Sequence, residues 1–208
     1  MSYNSVDELK FSLMNCGVTV NFGCVSKGGE GSLLPEEVES FRNCAVSVMR
    51  QGAAARGLAR VLLAQRGYDR FPLPRRLGYA PVWPLHIVGS LSHCEDYAAA
   101  AVASASHVSG LGIDIEPALA LPDDIFDLIA TPGERRSFLE NNVRRRMLFC
   151  AKEAAFKAAY AADEIPIEFC NIEIGNDFDV AVTCYGRKIL IKMAAEKYIT
   201  TVGLIIKN

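Results

Sequence analysis

The chain has no Cys-x-x-Cys pair, and its seven cysteines, at 16, 24, 44, 94, 150, 170 and 184, are odd in number. Scattered thiols of this kind argue against a disulfide framework or a zinc ribbon and point to a reducing compartment, the cytoplasm. Charge of one sign is missing too: 22 Lys and Arg stand against 24 Asp and Glu, a net charge of −2. Neither a polycationic nucleic-acid binder nor an acidic tail protein is expected. Met1 to Glu8 carry no base and no apolar core, so no signal peptide is expected. The uncharged stretch between Asp96 and Asp114 is broken by His107, Gly110 and Gly112. It reads as two strands rather than a membrane span, which needs roughly 18 or more apolar residues. Repeats and low-complexity tracts are absent. What remains, 208 residues at 50 % apolar and 22 % charged, is a globular mix sized for one large domain or two small ones.

Charge is unevenly placed along this near-neutral chain. Residues 50–76 hold seven arginines against Asp69 alone, and residues 112–127 hold five acids and no base. The pairing suggests phosphate and metal handled together, with solvated surface as the bland alternative. Residues 17–25 read as a strand. Phe41, Ala45, Val48, Gly52, Ala55, Ala59 and Leu62 step by four and three and predict one helical stripe opened by Pro35. Residues 68–84 hold four prolines and read as an extended connection. Residues 86–93 and 97–104 read as paired strands, and Gly110 to Glu116 as another. A short helix begins at Pro122. Thr131-Pro132-Gly133-Glu134 is a capping box, predicting helix to about Ala162. Residues 170–206 predict three β-runs with turns at Gly175-Asn176-Asp177 and Gly186-Arg187-Lys188. Each half thus has a long helix and β-runs, which predicts an α+β fold of two halves meeting near residues 105–110.

The chemistry concentrates in four places. In Gly112-Ile113-Asp114-Ile115-Glu116, strand alternation sends Ile113 and Ile115 to a core and sets Asp114 and Glu116 side by side on the other face. Such a carboxylate pair suits Mg²⁺ and phosphate; the competing reading is an amphipathic edge strand with two solvated acids. In Phe149 to Lys157, Glu153 and Lys157 are helical i,i+4 neighbours. They are a third carboxylate with a phosphate-binding cation, or an ordinary ion pair. Arg56 and Arg60, also i,i+4, border the apolar stripe and can grip phosphate by their forked geometry or simply snorkel over the core edge. Ser92 and His93 end a strand and can donate hydrogen bonds to phosphate. No G-x-S-x-G elbow supports a serine hydrolase, and Cys94 faces away from His93 on a strand. His86 and His107 are expected to be structural or on the surface.

Taken in order, these blocks resemble the 4′-phosphopantetheinyl transferases, of the type that serves siderophore and other non-ribosomal peptide synthetases. The matching segments are Ala55-Arg56-Gly57-Leu58-Ala59-Arg60; Ala80-Pro81-Val82-Trp83-Pro84 running on to Gly89-Ser90-Leu91-Ser92-His93-Cys94; Gly112 to Glu116; and Phe149 to Lys157. They lie between residues 55 and 157, about half the chain, and the block with Pro-Val-Trp-Pro most resembles the enterobactin-synthetase branch. The resemblance implies two similar α/β halves related by pseudo-twofold symmetry: 1–107 for the nucleotide of coenzyme A, 108–208 for metal and catalysis. It implies transfer of 4′-phosphopantetheine from coenzyme A to a serine of an apo acyl or peptidyl carrier protein, releasing 3′,5′-ADP, with Mg²⁺ (or Mn²⁺) held by Asp114, Glu116 and Glu153. Lys157, with Lys152 as second candidate, would meet the pyrophosphate. Arg56, Arg60, Ser92 and His93 would bind the nucleotide end, and Glu153 would be the base. The alternative is a coenzyme A-binding protein without transferase activity. Where related enzymes often carry a basic residue before the proline of that block, this chain has Ala80, so either Arg75 or Arg76 substitutes or one contact is missing. Arg135, Arg136, Arg144, Arg145 and Arg146 offer a basic face for an acidic carrier, or a solvated helix face. One chain supplies both walls of the cleft, so a monomer is expected.

Overall fold

A computed structural model describes residues 4–26, 29–75, 80–139 and 141–207. The chain runs α1 (Val6–Met14), β1 (Val18–Cys24), α2 (Pro35–Val38), α3 (Val46–Ala64), β2 (Ile87–His93), β3 (Tyr97–Ser104), β4 (Val108–Pro117), α4 (Asp123–Ile129), α5 (Pro132–Ser137), α6 (Asn142–Asp163), β5 (Ile172–Ile174), β6 (Val180–Thr183), β7 (Lys188–Ala195) and β8 (Tyr198–Ile206). This is the α+β fold expected. Its two antiparallel sheets have the orders β1-β3-β2 and β4-β8-β7-β6-β5. The halves share a plan: a strand, a long helix, then a hairpin whose second strand pairs with the first. In the first half these are β1, α3 and β2–β3; in the second, β4, α6 and β7–β8.

Alternation explains how the halves join. Strand β3 is nearly all small residues and is buried on both faces. Ala100 and Val102 face the core beneath α3. Ala99, Ala101 and Ala103 face Leu111, Ile113 and Ile115 of β4 and Val202 and Leu204 of β8, so one core spans both sheets. Strand β4 turns its other residues, Gly110 and Gly112, toward α6. A Cβ on Gly112 would stand 2.0 Å from the carbonyl oxygen of Ala154, and one on Gly110 2.2 Å from that of Ala158. These glycines therefore let α6 lie directly on β4, running antiparallel to it. Asp114 and Glu116 continue the same strand face and must meet the earlier turns of α6.

Several elements differ from expectation. The stripe read from Phe41 to Leu62 is not one helix: α3 starts after Ala45, and Phe41 is buried in a separate single 3-10 turn. Ala45 offers no capping oxygen, so nothing in the sequence marks that break. The Thr131 capping box forms, with Glu134 bonded back to Thr131, but its helix ends at Ser137, and Asn141 caps α6 anew. Residues 170–206 hold four strands, not three. The β7–β8 turn, Glu196-Lys197, lacks the glycine or asparagine that would announce it.

Candidate active site

Four elements converge at the joint between the sheets: α3, the end of β2, β4 and α6. They enclose a cleft of about 350 Å³ whose lining includes Arg56, Arg75, His93, Asp114, Glu116, Glu153 and Lys157. Cations gather at the α3 end and carboxylates at the β4–α6 end. A larger cleft of about 680 Å³, on the far side of the joint between α1, β1 and the β7–β8 turn, holds no such constellation.

At the acid end, Asp114 is 3 % exposed, so the solvated-edge reading is overturned for it. Its Oδ1 accepts from Ser92 Oγ at 2.7 Å and from Lys157 Nζ at 2.8 Å. Its Oδ2 is buried without a partner. Lys157 also donates to the Ile113 carbonyl at 3.1 Å and stands 3.5 Å from Glu153. Burial works against the Lys157 ammonium, but the charges of Asp114 and Glu153 outweigh it and hold its pKa above the ordinary lysine value. Burial, with Asp114 adding repulsion, raises the Glu153 carboxyl even though Lys157 opposes the shift. Glu116 is raised by burial and by Asp114, while Arg146 at 2.9 Å pulls the other way.

Arg146, Cys150, Glu153 and Lys157 are spaced four, three and four apart, one stripe of α6 facing β4. Lys152 is about 100° round the helix from Glu153, and there the expectation fails. Lys152 is fully buried and turned away from the cleft. It pairs with Glu134 at 2.7 Å and donates to the carbonyls of Phe169 and Ile172. It is a structural anchor and not a pyrophosphate ligand.

At the basic end, Arg56 is 3 % exposed. It donates to the Leu73 carbonyl at 2.9 Å and the Gly52 carbonyl at 3.2 Å, and burial drives its pKa down to about 10. Its guanidinium and that of Arg75 both lie over the Phe41 ring, at 4.7 and 4.6 Å. Two cations share one phenyl ring at the mouth of a cleft. Arg75 forms a bridge with Pro81, beside Ala80. Arg76, the other candidate there, lies outside the described residues, as do Met1 to Tyr3. His93 is pushed below the ordinary imidazole value by burial, then by Lys157, Arg75 and Arg56. Arg60 does not reach the cleft: buried Glu37 holds it at 2.8 Å, and it donates to the Ser32 carbonyl. Ser92 is spent on Asp114 and so orients a carboxylate. Burial raises the Cys94 thiol, which disfavours a nucleophilic thiolate.

Of the expected basic docking face, Arg135 and Arg136 are exposed, Arg144 and Arg146 are half-buried and Arg145 is buried. Arg145 is buried against Asp123 at 2.5 Å and donates to the Phe138 and Leu139 carbonyls. Arg144 stacks on Phe138 and Phe178, Arg135 pairs with Asp127, and Arg146 belongs to the site. That role of Arg146 was missed from the sequence, although its place in the α6 stripe with Glu153 and Lys157 signals it.

The cleft is acidic with oxygen donors at one end and carries two guanidiniums at the other, the layout of a metal–pyrophosphate site. Among the described residues, no three Asp, Glu, His or Cys side chains are already gathered as a metal cluster; Lys157 pairs with Asp114 and Glu153, and Arg146 with Glu116. Comparison with known proteins identifies the family. Residues 37–103 match the model of the 4′-phosphopantetheinyl transferase N-terminal domain, and residues 110–202 that of the 4′-phosphopantetheinyl transferase superfamily. The chain belongs to the 4′-phosphopantetheinyl transferase superfamily. It is 37 % identical over 154 residues to 4′-phosphopantetheinyl transferase Svp of Streptomyces mobaraensis, covering 71 % of this chain and 62 % of that one. It is 38 % identical over 132 residues to 4′-phosphopantetheinyl transferase Npt of Nocardia iowensis (62 % and 56 %). With enterobactin synthase component D of Escherichia coli K12 the identity is 35 % over 112 residues (51 % and 52 %). The match thus spans less than two thirds of each of these relatives. It covers more of the chain for the first two than for the enterobactin branch.

Proposed function

We propose that the chain transfers the 4′-phosphopantetheine group of coenzyme A to a serine of an apo acyl or peptidyl carrier protein and releases 3′,5′-ADP. One observation carries this: Asp114, Glu116 and Glu153 line the same cleft as Arg56, Arg75 and His93, with Lys157 paired to Asp114. The serine oxygen forms a bond to the β-phosphorus of coenzyme A, the bond to the 3′,5′-ADP oxygen breaks, and the serine proton passes to Glu153, directly or through water. A buried glutamate with a raised pKa suits that role. Lys157 turns its ammonium from Asp114 to the pyrophosphate, while Arg56, Arg75 and His93 bind the phosphate of the nucleotide end.

The donors fit a hard divalent cation, Mg²⁺ or Mn²⁺. Asp114, Glu116 and Glu153 line one cleft and offer oxygen alone, the donor set such an ion takes. Held by these three carboxylates, such an ion would supply neutralisation of the charge that grows on the leaving phosphate. The residues that line each end support the division into 1–107 for nucleotide binding and 108–208 for metal and catalysis. A monomer is the proposed working unit, because both walls come from one chain. The described residues include no helix long and apolar enough to cross a membrane, and all seven cysteines are free; both accord with a cytoplasmic enzyme of siderophore or other non-ribosomal peptide synthesis.

The test is a pair of near-isosteric variants, Asp114→Asn and Glu153→Gln. Each is expected to lower the transfer rate at saturating coenzyme A by roughly 10²–10⁴ while the chain remains folded. Unchanged rates would refute the assignment. Binding of coenzyme A by the wild type with no transfer to any carrier would instead support a binding protein.

A further inference from the structure

Two buried side-chain oxygens among the described residues have no hydrogen-bond partner, Asp114 Oδ2 and Thr201 Oγ1. They belong to residues directly opposed in the β4–β8 register, Asp114 against Thr201. Opposed residues share a sheet face with Cβ atoms about 4.5–5.5 Å apart. Thr201 is 0 % exposed, so water offers its hydroxyl no easy substitute. One atom is an acceptor and the other carries a donor proton. Buried polar atoms are rarely left unmatched, because each forfeits its hydration for nothing in return. A change of the Thr201 χ1 between staggered wells moves the hydroxyl and satisfies both atoms at once. The third neighbour is Cys150: its thiol donates to the Ile199 carbonyl at 3.6 Å, and its sulfur also lies in reach of the Asp114 carboxylate and the Thr201 hydroxyl, a weak partner to each beside the oxygen–oxygen bond the two could make with one another.

We infer that Thr201 is a positioning residue for Asp114: its hydroxyl donates to Oδ2 from behind while Ser92 and Lys157 hold Oδ1 from the cleft side. The carboxylate plane is then fixed on both edges, and Oδ1 faces the cleft. Thr201 touches neither substrate nor metal. This inference rests on the proposed reading of Asp114 as a metal ligand, and partners of this kind typically change metal affinity by 10–100-fold.

The experiment compares wild type with Thr201→Val, which keeps the shape and loses the hydroxyl, and with Thr201→Ser, which keeps the hydroxyl. Mn²⁺ binding in the presence of coenzyme A is read directly by electron paramagnetic resonance, with the melting temperature alongside. Thr201→Val is expected to need at least about tenfold more Mn²⁺ for half-saturation, and Thr201→Ser to recover most of that loss. Equal Mn²⁺ affinity in all three, or a loss in both variants that follows melting temperature alone, overturns the inference. A crystal structure of the wild type without metal gives the other readout. Thr201 Oγ1 is expected within about 3 Å of Asp114 Oδ2, and a hydroxyl turned to another acceptor overturns the idea. If the wild type binds no Mn²⁺ at all, the proposed function fails, and the crystallographic distance still decides the role of Thr201.

Discussion

His93 sits among cations in a half-buried position, and its chemistry shows in the pH dependence of stability. Burial, and then Lys157, Arg75 and Arg56, hold its pKa below the ordinary value of 6.5. Between the lowered and the ordinary value the unfolded chain binds more protons than the folded one, so stability rises with pH there. Stability is therefore lost as pH falls from the ordinary value through the lowered one. Melting temperature is expected to fall between about pH 7 and pH 5, with a shallower slope for His93→Gln; identical slopes would remove His93 from the account. Arg75 makes another prediction. Loss of one charge-assisted contact costs roughly 1.5–3 kcal/mol, so Arg75→Gln is expected to weaken coenzyme A by about tenfold or more in calorimetry. Dephospho-coenzyme A should bind the two proteins alike, since it lacks the phosphate proposed to meet Arg75. The types of the acid-end residues were legible in the sequence because alternation in a strand and i,i+4 spacing in a helix are local rules. Their partners were not. Lys152 and Lys157 are equivalent as letters, and Glu134, eighteen positions before Lys152, decides between them by capturing one in the interior.

At the scale of elements, α6 on β4 is the contact that makes the site. Gly112 has no room for a side chain, since an added Cβ would stand 2.0 Å from the Ala154 carbonyl oxygen. Gly112→Ala must therefore lift α6 off β4, carrying Glu153 and Lys157 away from Asp114. An overpacked site of this kind costs typically about 1–3 kcal/mol and sometimes more. Urea denaturation should show that loss, and coenzyme A binding should weaken with it; a variant as stable as wild type would contradict the close packing. The Glu134–Lys152 pair holds the other side of α6. Glu134 accepts from Ile174 N at 2.8 Å as well as from Thr131 N, so it ties α5, α6 and β5 together. Lys152→Met leaves that carboxylate buried without its cation, and a loss of about 3–5 kcal/mol is expected in the same denaturation experiment. Strands β1 to β4 and the long helices followed from periodicity. The divisions between α2 and α3, and between β7 and β8, did not, because Ala45 and Glu196-Lys197 carry no capping or turn chemistry.

At the scale of the whole molecule, two half-domains with the same strand–helix–hairpin order close on one cleft, each supplying one end. The cations come from α3 and the segment near Arg75, the carboxylates from β4 and α6. No local pattern reveals that Ser92 of one half reaches Asp114 of the other at 2.7 Å, because that contact depends on how the sheets pack across the alanine face of β3. The four blocks show the order of the parts along the chain, and the fold supplies their juxtaposition. The most direct test of the account is the intact mass of an apo carrier protein after incubation with this chain, coenzyme A and Mg²⁺, with EDTA as control. The expected result is a gain of one phosphopantetheine on the carrier, abolished by EDTA. A carrier whose mass is unchanged across acyl, peptidyl and polyketide types, with coenzyme A bound and Mg²⁺ present, would contradict it.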